Sequence, residues 1–456
     1  MRLEFKVIVN YIMVLTMFLG SFVLLRGAFD FYLFYIIFFV FLVIAFLNRV
    51  EIINTTFFVL FSVVFFLSII NSSFSGFSVL LVLKQLGILF SASAYYLLIK
   101  INDYDVDYLF RIYLNVVFFV CLLGLIQEFS FLIKFRYGYD WSFFIPGKRV
   151  IYGLSGLVRI DSIMQEPSVL SIILSPAMFV ALNNILTRSS IYMNFFRSII
   201  ILSTFVLTFS STGYMGLFFA LILILYRNRF FSLKNKRIFY LPIALILISI
   251  LASNFYSKIP DFKNRVDGVT SLLQSSNMLV DASVFIWYAN FGVTIESLKN
   301  TPLFGTGLGT YPEAFDKYVE QFIGPEIFKN NRDFLVHGWG LFVSKNDANS
   351  MFLRLLTETG LFGVIILLYF LIKFFIFPKN SSKKTDNNFD YYNRMSIINN
   401  GIFVLILLRL IRYGNYFVDG MFFFIFLYYF SGKIYKETKR HDSLGDKILC
   451  SDALQS

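Results

Sequence analysis

The sequence predicts an all-α polytopic integral membrane protein of about twelve transmembrane helices, with two long extracytoplasmic loops and both termini cytoplasmic. Three observations predict it. Of 456 residues, 57% are hydrophobic, 20% aromatic and only 15% charged, and Phe alone fills 60 positions. Soluble domains carry about 25% charged residues. The apolar residues also come in runs of about 20, the length that crosses a bilayer. Finally, the surplus of basic residues, net +12, collects in alternate connections between those runs. A DNA-binding protein, a cytosolic enzyme and a disordered scaffold are thereby excluded.

Taken in order, the runs place spans near 7–25, 29–47, 52–70, 77–99, 108–133, 168–187, 196–210, 213–226, 238–254, 349–377, 395–411 and 417–431. The first has no small-residue cleavage site and reads as a retained helix rather than a removed signal peptide. Arg2, Lys6, Arg49, Lys100, Arg111, Arg188, Arg197 and the run Arg227, Arg229, Lys234, Lys236, Arg237 share one side with Lys379, Lys383, Lys384, Arg394 and the tail Lys433–Arg440. Lys and Arg resist translocation, so that side is the cytoplasm. The chain divides into helices 1–5 (1–133), a first long outer loop (134–167), helices 6–9 (168–254), a large outer loop (255–348), helices 10–12 (349–431) and a tail (432–456). A connection as long as 255–348 is functional or disordered rather than a simple link. Its scattered aromatics, with helical periodicity over Val284–Leu298 and Tyr311–Phe322, argue for a folded subdomain. There is no internal repeat and no matched pair of interrupted spans of the transporter kind.

Cys121 and Cys450 provide neither a disulfide framework nor a metal cluster, so neither metal nor other cofactor is expected, and nucleic acid is not a partner. The chemistry-bearing residues fall in three stretches. Arg159-Ile-Asp-Ser-Ile-Met-Gln-Glu166-Pro167-Ser168 closes the first long loop. Pro167 suits a first helical turn, which puts Glu166 at the positive end of a helix dipole. A plain capping carboxylate is the structural alternative. Thr301-Pro-Leu-Phe-Gly305-Thr-Gly307-Leu-Gly309-Thr-Tyr311 follows no strand, so its glycines read as a tight turn rather than a nucleotide fingerprint. Asp347-Ala348-Asn349-Ser350 precedes a span in which Arg354 and Glu358 stand four apart, able simply to pair. Charges within membrane helices are functional candidates nonetheless, and Arg409, Arg412 and Lys84 join them on that ground. His337 is the one histidine outside the tail, where His441 lies. Asp103-Tyr-Asp105-Val-Asp107 imitates a metal-binding aspartate pair but reads as a solvated acidic turn.

Together the three stretches resemble the O-antigen polymerase/ligase superfamily, and specifically the Wzy-type oligosaccharide repeat-unit polymerases. The family pattern has an arginine leading to Glu-Pro-Ser, here Arg159 with Glu166-Pro167-Ser168. A Gly-x-Gly-x-Gly turn follows, here Gly305, Gly307 and Gly309, and then an Asn-led span with an acidic residue before Gly-x-x-Gly, here Asn349 to Gly363 with Glu358. Ligases of the superfamily usually have a histidine beside the Asn. Ala348 and Asp347 stand there instead, which favours a polymerase. An arginine followed by ten residues and a glycine marks the long loops of some relatives. Arg136 and Gly147 fit that spacing, whereas Arg265 meets Ser276 and Arg332 meets Val343.

The resemblance implies a substrate of polyprenyl-diphosphate-linked oligosaccharide in the outer leaflet of a bacterial cytoplasmic membrane, with membrane lipid and possible flippase and chain-length-regulator proteins as partners. Transfer of the growing glycan to a sugar hydroxyl needs a base in hydrogen-bond reach and fixed cations on the leaving diphosphate. Glu166 is first choice for the base, then Asp347, then His337. Arg159 is assigned to the diphosphate, since the guanidinium fork binds phosphate oxygens in pairs. Arg149, Arg265, Arg354 and Arg409 support it, and Asn349 orients the acceptor. The alternatives are a ligase of the same superfamily, a flippase or other transporter, and a lipid-sugar-dependent glycosyltransferase, which would carry acidic residues in a longer first outer loop than Arg26–Asp30.

Overall fold

A computed structural model describes residues 3–25, 30–145, 147–153, 156–228, 267, 282–330, 345–377 and 389–453. The predicted ninth span, 238–254, and the candidates His337 and Arg265 lie outside the described residues.

The described chain is overwhelmingly helical. In order it forms α1 (Leu3–Leu15), α2 (Leu33–Leu47), α3 (Thr55–Ser75), α4 (Val79–Lys84), α5 (Gly87–Ile101), α6 (Val106–Leu132), the short α7 (Arg136–Tyr139), α8 (Pro167–Thr187), α9 (Phe195–Leu207) and α10 (Ser211–Arg227). Further along come α11 (Ala282–Asn300), α12 (Tyr311–Asn330), α13 (Met351–Phe374), α14 (Phe389–Arg412) and α15 (Met421–Ala453). Among the described residues, six segments are long and apolar enough to cross a membrane: α3, α4 with α5, α6, α8, α13 and α14. Helices α2, α9 and α10 are apolar but shorter. Only 22% of the α3 window is buried, with Phe58, Phe66 and Phe74 among its exposed side chains. So large an exposed apolar face is compatible with lipid, not water. The chain is a multi-pass membrane protein.

Among the described helices, α3, α6, α9, α10 and α13 begin where a short polar side chain satisfies one of the first backbone N–H groups. Asn54 accepts from Phe57 N–H, Asp105 from Tyr108, Asn194 from Arg197, Ser210 from Gly213 and Ser350 from Leu353, at 2.9–3.3 Å. The core is built from α8, which packs on α9, α10 and α14. Tyr113 and Phe424, ring to ring at 5.3 Å, join α6 to α15 there.

Four predicted elements differ in detail. The first span ends early: after a turn of 3₁₀ helix at Thr16–Phe18 the chain forms a β-hairpin, β1 (Val23–Leu25) with β2 (Phe31–Tyr32). The fourth is broken at Gln85–Leu86, so Lys84 closes one helix instead of lying within a long one. The last begins at Met421, leaving Tyr413–Gly420 as a turn whose aromatics merge with the span in the sequence. The Asp103–Asp107 turn is not simply solvated either. Asp105 caps α6, while Asp107 accepts from Tyr192, from Arg111 at 2.9 Å and from Arg394 at 3.2 Å. These bonds gather the starts of α6, α9 and α14 at one end of the bundle, and the same end holds the Arg227–Asn393 hydrogen bond.

At the other end, the described part of the large loop makes a second apolar cluster. Ala289 and Val293 of α11 meet Tyr311, Phe315 and Tyr318 of α12, and Leu353 of α13 closes the cluster. The predicted helical periodicity of both segments is realised.

Candidate functional site

The glycine turn and the start of α13 form one structure. α13 is broken at Gly360, whose φ of 62° and ψ of −159° lie where glycine alone is comfortable. A break within an apolar span leaves backbone groups unpaired, which hydrocarbon cannot solvate. The turn supplies the missing partners. Thr306 N–H donates to the Thr357 carbonyl and Gly307 N–H to that of Glu358, both at 2.9 Å, while Leu361 and Phe362 N–H groups donate to Pro302 and Leu303 at 3.0 Å. Gly305, at φ 69°, lies so close that a Cβ would stand 2.5 Å from the Glu358 backbone. The reading of these glycines as a tight turn agrees with this packing, and the Gly307 N–H in particular faces a protein carbonyl.

Glu358 is the hub of the arrangement. Its side chain is 0% exposed and accepts from Arg354 Nε at 2.8 Å, from the Tyr416 hydroxyl at 3.0 Å and from the Tyr311 N–H at 3.4 Å. Arg354 also donates to the Gly414 carbonyl at 3.0 Å and lies 4.1 Å from the centre of the Tyr416 ring. Tyr311 in turn donates to Asn290 of α11. The i,i+4 pair read from the sequence is therefore real, and it ties the large loop, α13 and the 413–420 turn together.

Glu166 occupies the N-cap position of α8 but makes no capping bond with its side chain, so the capping alternative is not realised. Its carboxylate is exposed and accepts from the Ser168 hydroxyl at 3.0 Å. Its charge reaches both Asp347 and Asp419, raising the carboxyl of each. Asp347 is held above the usual carboxylate range chiefly by burial, against the pull of the Asn349 N–H, Arg354 and Arg412. The structure thus brings the first- and second-choice bases into one electrostatic neighbourhood, with Arg412 a half-buried cation that acts on Asp347. Asn349 follows Ala348, both with left-handed φ (53° and 58°), and its N–H donates to Asp347 Oδ1 at 3.0 Å. Ser350, not Asn349, caps the helix.

The remaining arginines are dispersed. Arg159 donates from Nε to the Thr208 carbonyl at the C-terminal end of α9 (3.3 Å). Arg149 is exposed and lines a pocket of about 440 Å³ in the first long loop with Arg136, Asp140 and Tyr152. Arg409 is 2% exposed and donates to the Val418 carbonyl at 3.1 Å. Arg354 and Arg409 were expected at the diphosphate, yet Arg354 Nε meets the Glu358 carboxylate and the terminal nitrogens of both meet backbone carbonyls, as buried guanidinium groups need partners where they stand.

Sequence reasoning missed two features. Asp161, inside the Arg159–Ser168 stretch, forms a 2.8 Å ion pair with Lys148 in which both side chains are 2% exposed. Gln127 of α6 donates to Asp161 at 2.8 Å, and Lys148 also reaches the Ser162 and Met164 carbonyls. The network fixes the first long loop on α6, just before Glu166. Two opposite charges in one loop were its only signal. The second feature is Asp419, which the apolar residues on either side disguised. No group of His, Cys, Asp and Glu suited to hold a metal occurs among the described residues.

Fold and site define a helical membrane protein with paired carboxylates and arginines gathered at one end of its bundle. Residues 196–368 match the O-antigen ligase family model, consistent with a member of the Wzy/O-antigen ligase superfamily. The match runs from α9 into α13. It therefore includes the glycine turn, Asp347, Arg354 and Glu358, while Arg159, Glu166 and Asp419 lie beyond its limits. No curated protein matches the chain.

Proposed function

We propose that this protein is a polymerase that joins polyprenyl-diphosphate-linked oligosaccharide repeat units into O-antigen, capsular or related surface polysaccharide, on the outer face of the bacterial cytoplasmic membrane. The observation that carries the reading is the shared neighbourhood of Glu166, Asp347 and Arg412 at the end of the bundle where α8 and α13 start.

The chemistry follows from exposure and charge. Glu166 is exposed at the positive end of α8, able to meet an acceptor hydroxyl and take its proton as the sugar oxygen attacks the donor's anomeric carbon. The bond from that carbon to the lipid diphosphate breaks, and the negative charge it releases needs fixed cations. Arg159 and Arg412 are assigned to that task. Arg354 and Arg409, being buried, hold the walls. Asp347, in the same neighbourhood, is the second candidate for the base. Asn349, on its strained turn, orients the acceptor.

A ligase joining finished glycan to a different lipid acceptor is the second reading, favoured by the description of the matching family. Ala348, where ligases usually have histidine, favours the polymerase. Deleting the gene product and analysing surface glycan separates them. The proposal expects surface lipid capped with single repeat units. Long chains retained on the carrier lipid would indicate a ligase, and lipid-linked units trapped on the cytoplasmic side a flippase.

A further inference from the structure

The turn between α14 and α15, residues 413–420, is gripped from two sides by buried guanidinium groups. Arg354 donates to the Gly414 carbonyl at 3.0 Å and lies over Tyr416. Arg409 donates to the Val418 carbonyl at 3.1 Å and reaches those of Asn415 and Asp419 at 3.5 Å. The counter-charge of Arg409 is Asp419, 3.9 Å away, with both side chains 3% exposed. Asp419 also takes a hydrogen bond from Tyr413 and is wedged against Gly20, where a Cβ would collide with Oδ1. The turn bears directly on the candidate site. A Cβ on Gly414 would overlap the Asp347 carbonyl oxygen, and the Tyr416 hydroxyl bonds Glu358.

We propose that Asp419 is a positioning residue for glycan transfer: its carboxylate anchors Arg409, Arg409 holds the 413–420 turn, and the turn sets Asp347 and the Tyr416–Glu358 bond. This rests on the transferase reading only in taking Asp347 and Glu166 as the site that is positioned. Any shift of the turn passes straight to the Asp347 backbone, because no space separates them. The groups that face Asp419 are Arg409 of α14, Tyr413 of the turn, Tyr95 of α5 and Glu166 at the start of α8. Burial pushes its carboxyl up to about 6, with Glu166 acting in the same direction and Arg409 and Tyr413 opposing. The anchor is therefore charged above that value and weakened below it, so transfer declines as pH falls through about 6.

The test measures transfer between lipid-linked oligosaccharide units by the full-length membrane protein, wild type and the Asp419→Asn and Asp419→Glu variants, across roughly pH 5 to pH 8. For Asp419→Asn the proposal expects kcat lowered by about tenfold with KM little changed, as for a group acting on the reacting geometry. It also expects the acid limb near 6 to vanish in that variant, and Asp419→Glu to recover part of kcat. Wild-type kcat and pH profile in Asp419→Asn would overturn it, as would a loss confined to the amount of folded protein with kcat per folded molecule unchanged. Glu166→Gln, run beside them, separates the two ideas. If it is inactive while Asp419→Asn behaves as wild type, only the anchoring inference fails. If it transfers at the wild-type rate, the transferase site itself has been misplaced.

Discussion

Glu166→Gln is expected to stop chain extension while leaving insertion and folding intact. The carboxylate makes no capping bond and is exposed, so an isosteric amide removes little from the fold. What it removes is the proton acceptor, worth about 10²–10⁴-fold in a transfer step. The check is the length distribution of surface glycan in cells that make only the variant, beside an immunoblot of the membrane fraction. Single-unit caps at normal protein level are the expected outcome. Long polymer of normal distribution would mean that Glu166 is a surface residue with no part in transfer.

The second large effect belongs to Glu358. Glu358→Ala strands Arg354 in a buried site and also takes the acceptor from Tyr416 and from the Tyr311 N–H. Removing one partner of a buried pair costs about 3–5 kcal/mol, since the remaining charge has no water to turn to. Folded protein recovered in detergent should fall steeply, with a lowered melting temperature. Adding Arg354→Met should restore a large part of the loss, because replacing both members of a buried pair by apolar groups is often near neutral. A single variant as stable as wild type would show that the hub does not carry the load its burial implies.

The two substitutions divide the site by its physics. Glu166 sits where solvent and substrate can reach it and contributes little to packing. Glu358 is wholly enclosed, and its work is to hold three segments at one point: the glycine turn of the large loop, the broken helix α13 and the 413–420 turn.

Much of this was legible from residue order. Apolar runs located the six described segments long and apolar enough to cross a membrane, Pro167 marked the start of α8, and the four-residue spacing of Arg354 and Glu358 foretold their pair. The glycine turn was legible as a turn. What it packs against was not, because a single Gly360 inside a 24-residue apolar helix gives no local sign of a break. The break exists only because the 302–307 backbone is there to complete the bonds it opens. Lys148 and Asp161 were hidden for a related reason: they stand far apart along an irregular loop, and only tertiary folding brings them together inside the protein. Asp419 escaped because Tyr416, Phe417 and Val418 before it and Met421 onward after it read as one apolar span. In that window a turn carrying a buried carboxylate looks like a helix with one tolerated charge.

Glycan transfer on the outer face requires the end of the bundle bearing Glu166, Asp347 and the 413–420 turn to face away from the cytoplasm, with the Asp107–Arg394 end facing it. Single cysteines placed at Gln165 and Asn346, both exposed, in a Cys450→Ser background, test this in intact cells with a membrane-impermeant thiol reagent, with a cysteine at Arg111 as the opposite-side control and the native Cys121 buried. Labelling is expected at 165 and 346 in intact cells, and at 111 only after the membrane is opened. Labelling at 111 in intact cells, with 165 and 346 protected until lysis, would contradict it.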